Sequence, residues 1–182
     1  MGHRNQGTRS IATGIVLMAA AVSFNAHAGD GVELAGDILL FVMPATAAGM
    51  TIGYGDGQGA LQFGESAALT LAITYGLKYT VTAERPDGGS ESFPSGHTSI
   101  SFCSAEFIRR RYGLKYGLPS YAVASFVAYS RIESRSHYPR DVAAGAAIGI
   151  ISSYVFANSY KGWSVEPQVD ANHYGFRLVK CW

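Results

Sequence analysis

The sequence is poor in charge, in cysteine and in proline. Only 15% of its 182 residues are charged, against about 25% in an ordinary soluble domain. That excludes a disordered chain, which stays unfolded because it is polar and highly charged. Neither sign dominates: 14 Lys and Arg against 13 Asp and Glu leave a formal net charge of +1. A nucleic-acid binder needs a basic field, so nucleic-acid binding is excluded. Two cysteines are too few for a disulfide scaffold. Six prolines and 22 glycines without a three-residue period exclude a collagen-like chain. With 48% hydrophobic residues, what remains is one compact apolar domain, helical or membrane-embedded.

The first 28 residues read as a Sec-type export signal. Arg4 and Arg9 give a positive start, residues 11–24 are apolar, and Ala26-His27-Ala28 carries small residues at the two cleavage-determining positions. The alternative is an uncleaved anchor, for which the apolar stretch is short of the ~18 residues a spanning helix needs. Cleavage before Gly29 leaves 154 residues and a net charge of −1, because the removed piece carries two arginines and no acid. Three histidines remain: His97, His137 and His173. Export makes a Cys103–Cys181 bridge possible; a buried free thiol at Cys103 is the other reading, since Cys103 lies in an apolar helix.

Residues 29–162 are expected to form one all-α domain, a bundle of about five helices, and residues 163–182 a tail with a short β-hairpin. Asp37 reads as the cap of a helix over residues 38–51, kinked at Pro44. Residues 54–59 (Tyr-Gly-Asp-Gly-Gln-Gly) read as a turn. A second helix over residues 65–82 has Leu69, Ile73, Leu77 and Val81 at four-residue spacing. A third starts near Gly96-His97 and stops at Arg109-Arg110-Arg111 before Gly113. A fourth covers residues 119–131. A fifth covers residues 140–157, where Ala143, Ala144, Gly145, Ala146, Ala147 and Gly149 let neighbouring helices approach. Val165, Pro167 and Val169 alternate, as do Tyr174, Phe176 and Leu178, around a turn at Asp170-Ala171-Asn172.

Three segments carry polar groups that an apolar bundle does not need for folding. They are Lys78 with Arg85-Pro86, Pro94-Ser95-Gly96-His97, and Ser130-Arg131 followed by His137 and Asp141. Brought together, Lys78, Arg85 and Arg131 suit a dianion such as phosphate. Gly96 lets backbone approach an oxyanion, and a helix starting there aims free N–H groups and its positive dipole end at it. Ser95 adds a hydroxyl donor. His137 and Asp141 are four apart, so the carboxylate can hold one imidazole nitrogen and leave the other free to attack. His97 then suits a general acid for the leaving alkoxide. A lone Lys or Arg on a helix is ordinarily a solvated face. Arg109, Arg110, Arg111 and Lys115 are assigned to that class; Glu133, Arg135 and Arg140 to surface pairs; and His173 to an incidental tail position.

Lys78 with six residues before Arg85-Pro86, then Pro94-Ser95-Gly96-His97, then Ser130-Arg131 with five residues before His137 and three before Asp141, resembles the tripartite signature of the type 2 phosphatidic acid phosphatases. That superfamily also includes bacterial acid phosphatases and vanadium haloperoxidases. The signature spans residues 78–141, and the surrounding helices extend the likeness to about residues 37–157. The resemblance implies an all-α fold and hydrolysis of phosphate monoesters without a metal or other cofactor. Lys78, Arg85 and Arg131 would hold the phosphate, and Ser95 and Gly96 would donate hydrogen bonds to it. His137 would attack phosphorus, Asp141 would orient it, and His97 would protonate the leaving group. The chain departs from its relatives in a link of only seven residues (87–93) between the first two segments. That leaves little loop for a lid, so selectivity is expected from the turn at residues 54–59 or from Tyr138.

Many relatives of this kind are integral membrane lipid phosphatases. Residues 38–54 and 142–160 are uncharged for long enough to span. The fourth helix is uncharged only over residues 118–130, ~20 Å against a hydrocarbon core of ~30 Å. This favours a periplasmic or inner-membrane-associated domain, its site facing the periplasm, over five spans; on the five-span side of the balance, Arg109-Arg110-Arg111 would lie opposite the site as a cytoplasmic positive cluster should. The leading function is a phosphatase on phosphate esters, plausibly lipid phosphates. The alternatives are a vanadate-dependent haloperoxidase, for which the chain has no insertion to build a halide site, and a non-catalytic phosphate-binding module, which would not need His97, His137 and Asp141 together.

Overall fold

The structure is a computed structural model that describes residues 28–160, 162–170 and 173–181. Five helices follow one another: α1 (Ala28–Gly53), α2 (Gly57–Thr80), α3 (Gly96–Tyr112), α4 (Leu114–Glu133) and α5 (Pro139–Phe156). Strands β1 (Gly162–Asp170) and β2 (His173–Cys181) pair antiparallel, from Gly162 opposite Cys181 to Asp170 opposite His173. The all-α bundle and the terminal hairpin agree with the expectation. The proposed export signal lies outside the described residues, apart from Ala28 at the start of α1.

The central helix is α3, which packs against each of the other four. Small hydroxyl residues fill much of the interior: Ser66, Thr70 and Thr74 from α2, Thr98, Ser99, Ser101 and Ser104 from α3, and Ser152 and Ser153 from α5 are all fully buried. Several of these hydroxyls bond to nearby carbonyls, which offsets the cost of burying them, whereas those of Ser101 and Ser152 have no partner among the described residues. Ser66 donates to the Gln62 carbonyl at 2.7 Å, Thr70 to that of Ser66 at 2.7 Å, and Ser153 to that of Cys103 at 2.7 Å. Glycine brings α5 onto α3. A Cβ on Gly149 would lie 2.1 Å from the Ser99 carbonyl oxygen, and one on Gly145 2.5 Å from that of Ser95. A smaller apolar core joins Ala47, Phe63, Phe107 and Ile108, with the rings of Phe63 and Phe107 4.9 Å apart.

The outer faces are apolar. Leu34, Ile38, Phe41 and Ile52 of α1, Leu61, Leu71 and Ile73 of α2, Leu118 and Ile132 of α4, and Ile151 and Val155 of α5 all face outward. Among the described residues, one segment, Gly31–Gly53, is long and apolar enough to cross a membrane by length and composition alone.

Several expectations need correction. Asp37 does not cap α1; the helix begins at Ala28 and runs through Pro44. Helix α2 starts at Gly57, inside the expected turn, because Asp56 caps it by accepting the Gly59 N–H at 2.9 Å. Helix α4 starts at Leu114 and carries Pro119 inside it, in its second turn. The cations at the end of α3 are not a solvated run. Arg111 is buried and makes a two-point ion pair with Asp56 at 2.6 and 2.7 Å. Arg109 pairs with Glu106 at 2.6 Å, and Arg110 stacks 3.9 Å over the Tyr154 ring. Cys103 is a buried free thiol, 3.3 Å from the Ser153 hydroxyl.

Candidate functional site

The site forms at one end of the bundle, where α2 and α4 finish and α3 and α5 begin. Backbone bonds tie the segments together. The Ser95 N–H donates to the Asp141 carbonyl at 3.0 Å, and the His137 N–H to the Arg131 carbonyl at 3.1 Å.

Lys78 stands in the last turn of α2 and donates to the Glu91 carbonyl at 2.6 Å. An added Cβ on Gly96 would lie 3.9 Å from Lys78 Cε, so the lysine stem runs beside the start of α3. Arg85 lies in the connection after α2, where a tight turn bonds its N–H to the Gly89 carbonyl at 2.7 Å. Its Nε donates to the Ser90 carbonyl at 3.1 Å. Ser95 caps α3: its fully buried Oγ accepts from the Thr98 hydroxyl at 3.0 Å and from the Thr98 N–H at 3.4 Å. These bonds occupy its lone pairs and leave the O–H to donate.

His137 sits in the α4–α5 connection, only 4% exposed. Its Nδ1 lies 3.8 Å from Asp141 Oδ2, within ion-pair range but beyond a hydrogen bond, and has no hydrogen-bond partner. Burial, helped by the nearby Lys78 and Arg85, lowers the imidazole to about 4. His137 is therefore neutral near pH 7, with a lone pair available for attack. Asp141 is fully buried in the first turn of α5. Its Oδ2 accepts the Tyr138 N–H at 3.0 Å and the hydroxyl of Ser92, and its Oδ1 lies 3.6 Å from Arg140 Nε.

Arg131 is buried in the last turn of α4 and turns toward α1. Its Nε donates to Ser130 Oγ at 3.0 Å, Nη1 to Asp37 Oδ1 at 2.8 Å and Nη2 to the Glu33 carbonyl at 2.8 Å. His97, in the first turn of α3, has Nε2 3.1 Å from the same Asp37 oxygen.

The structure thus groups Lys78, Arg85, Gly96, His137 and Asp141, with Ser95 beneath them as a cap. It sets His97 and Arg131 together on Asp37. The expectation that residues 54–59 select substrate is overturned, since Asp56 pairs with Arg111 at the far end of α3. Tyr138 does flank the site, next to His137 and 39% exposed, with Arg140 5.0 Å over its ring. Sequence reasoning missed two side chains. Ser92 has no local signal. Asp37 did have one, as an acid directly before 18 uncharged residues (38–55), but it was read as a cap.

Part of the sequence and the fold have known likenesses. Residues 87–164 match the profile of the PAP2 superfamily. A lipid A 1-phosphatase of Porphyromonas gingivalis is 40% identical over 94 residues, 47% of this chain; the match spans only 21% of that protein's length. A lipid A 4'-phosphatase of Helicobacter pylori is 28% identical over 157 residues, 79% of each chain. In fold, the chain is similar to the crystal structure of a transmembrane PAP2 type phosphatidylglycerolphosphate phosphatase from Bacillus subtilis. The TM-score is 0.56 at 21% identity, over 84% of this chain and 86% of that one.

Proposed function

We propose, from the likeness of residues 87–164 to the PAP2 superfamily, that the chain is a membrane-embedded phosphatase that hydrolyses lipid phosphate monoesters through a phosphohistidine on His137. The observation that carries this reading is the neutral, buried His137 between a carboxylate and two cations. A nucleophile that attacks a dianion must be unprotonated yet surrounded by positive charge, and this site meets both conditions.

In this reading, Lys78, Arg85 and the N–H groups at Gly96 receive the phosphate oxygens, and the Ser95 hydroxyl adds a donor from below. Nη1 and Nη2 of Arg131 each keep a second N–H for the same anion. Asp141 faces Nδ1 of His137, so Nε2 attacks phosphorus. The carboxylate stabilises the positive charge that develops on the ring. His97 protonates the leaving oxygen, then takes a proton from the water that cleaves the phosphohistidine.

A lipid substrate is supported by the relatives' names and by the molecule's surface. The apolar outward residues of α1, α2, α4 and α5 would otherwise contact water, whereas serine, threonine and glycine between helices are the packing residues of membrane bundles. Counted in sequence, the uncharged part of the fourth helix is short, but α4 runs for 20 residues, about 30 Å, which matches the hydrocarbon core. Export by the N-terminal signal, with the site facing the periplasm, accords with the cations at residues 109–115 lying at the other end.

The test is a panel of lipid and water-soluble phosphate monoesters assayed in detergent, with chelator and with vanadate. Turnover is expected to favour the lipid esters, to resist chelator and to stop with vanadate. His137→Ala is expected to lose at least about 1,000-fold in kcat. Wild-type turnover in His137→Ala would falsify the reading.

A further inference from the structure

We infer that Asp37 of α1 is the positioning residue of the general acid: its carboxylate holds Nε2–H of His97 and stabilises the imidazolium, so that Nδ1 delivers the proton to the leaving oxygen. The inference rests on the phosphatase reading above and adds a helix that lies outside the three signature segments.

Pairing with the buried Arg131 gives Asp37 a packing role, but that pair does not require a contact with His97 as well. Asp37 lies well inside α1, past any capping position, and directly before an uncharged stretch (38–55). Its side chain is 45% exposed, yet one oxygen, Oδ1, lies 3.1 Å from His97 Nε2 and 2.8 Å from Arg131 Nη1. The contact is built into the packing. A Cβ on the neighbouring Gly36 would lie 2.0 Å from Ser130 Oγ and 2.6 Å from Arg131 Nη2, so only glycine lets α1 come this close. One turn earlier, the Glu33 carbonyl accepts the other Arg131 nitrogen at 2.8 Å. Helix α1 thus grips Arg131 from two successive turns and presents Asp37 to His97 at a fixed place.

The charges facing His97 give Asp37 its effect. Burial, Arg131 from α4 and Arg85 from the α2–α3 connection all oppose an imidazolium; Asp37 from α1 is the group among these neighbours that favours it. A carboxylate on one ring nitrogen fixes the tautomer and supports the charged ring. In the first step the His137–phosphorus bond forms as the phosphorus–oxygen bond to the alcohol breaks. The Nδ1 proton passes to the departing oxygen, and His97 becomes neutral with Nε2–H still on Asp37. In the second step, Nδ1 takes a proton from water as that water displaces His137 from phosphorus. Phosphate leaves and the imidazolium is restored.

The experiment compares two esters with the full chain in detergent: p-nitrophenyl phosphate, whose phenolate leaves without help, and a short-chain phosphatidic acid, whose alkoxide must be protonated. Asp37→Asn is expected to lower kcat about 100-fold on the alkyl ester and less than about tenfold on the aryl ester. His97→Ala should show the same split, and the double variant should be no slower than His97→Ala alone. A KM change common to both esters reports the released Arg131. Equal kcat losses on the two esters, or additive losses in the double variant, overturn the inference. If Asp37→Asn does not yield folded protein by size-exclusion, the split is read in Asp37→Glu, whose extra methylene moves the carboxylate off His97. Equal losses there overturn it too. An inactive wild type, or an active His137→Ala, would instead mean that the phosphatase reading has failed.

Discussion

At the scale of single residues, the site depends on how the two cations nearest the nucleophile share their field. His137 is neutral down to a pH of about 4 because it is buried and because Lys78 and Arg85 repel a proton. Lys78→Met removes one repulsion, so the imidazole should titrate at higher pH. The acid limb of kcat/KM, near 4 in the wild type, is expected to move toward the ordinary histidine value of about 6.5. An unmoved limb would mean that Lys78 does not act on His137. The same shift carries a stability consequence. The folded-state pKa lies below the unfolded one, so this contribution is complete above about 6.5 and is lost as pH falls toward 4. Legibility was uneven at this scale. The eleven signature residues lie in three short stretches whose spacing carries meaning by itself. Asp37 and Ser92 act across 60 and 49 positions, and no local pattern announces a partner so far away.

At the scale of elements, glycine decides which helices touch. Gly149→Ala drives a methyl into the Ser99 carbonyl and the Cys103 nitrogen, 2.1 and 2.6 Å away. Backbone cannot rotate aside as a side chain can, so α5 must move off α3. The expected loss is about 3 kcal/mol of stability, with activity falling because α5 carries Asp141. Gly64→Ala on α2 meets nothing within 4 Å and is expected to stabilise by about 0.5–1 kcal/mol. Thermal unfolding in detergent compares the two; equal effects would contradict the packing. The small-residue run of α5 was readable as a close-approach surface. The starts of α1 and α2 were not. Glycines at residues 29, 31, 36, 57 and 59 look like turns in sequence, but the Asp56 cap and the packing of α1 on Arg131 hold those residues in helix.

At the scale of the whole molecule, the bundle buries many serines and threonines beside its small apolar core and exposes many large apolar residues, a pattern suited to helices packed in a membrane. A five-span form of the proposed reading, with α1 starting on the periplasmic side, would put the hairpin in the cytosol. Because Cys103 is a buried free thiol, a thiol probe should report on Cys181. Labelling is expected only after the inner membrane is opened, and labelling of intact cells would refute the five-span arrangement. The far end would then meet the cytosol with its Asp56–Arg111 pair and the stacked rings of Tyr54 and Tyr112, 5.0 Å apart. Composition already pointed to an apolar domain. What it could not convey was which side of each helix carries the serines and which the leucines, because only packing decides that.

The backbone bonds Ser95–Asp141 and His137–Arg131 have one more consequence. The first joins the second and third signature segments through main chain and the second closes the third segment on itself, so the site tolerates little drift there. Tyr138 and the exposed turn at residues 87–91 share the rim without belonging to that lock. Under the proposed function, divergence should therefore accumulate at the rim, where the lipid could change while the reaction is kept.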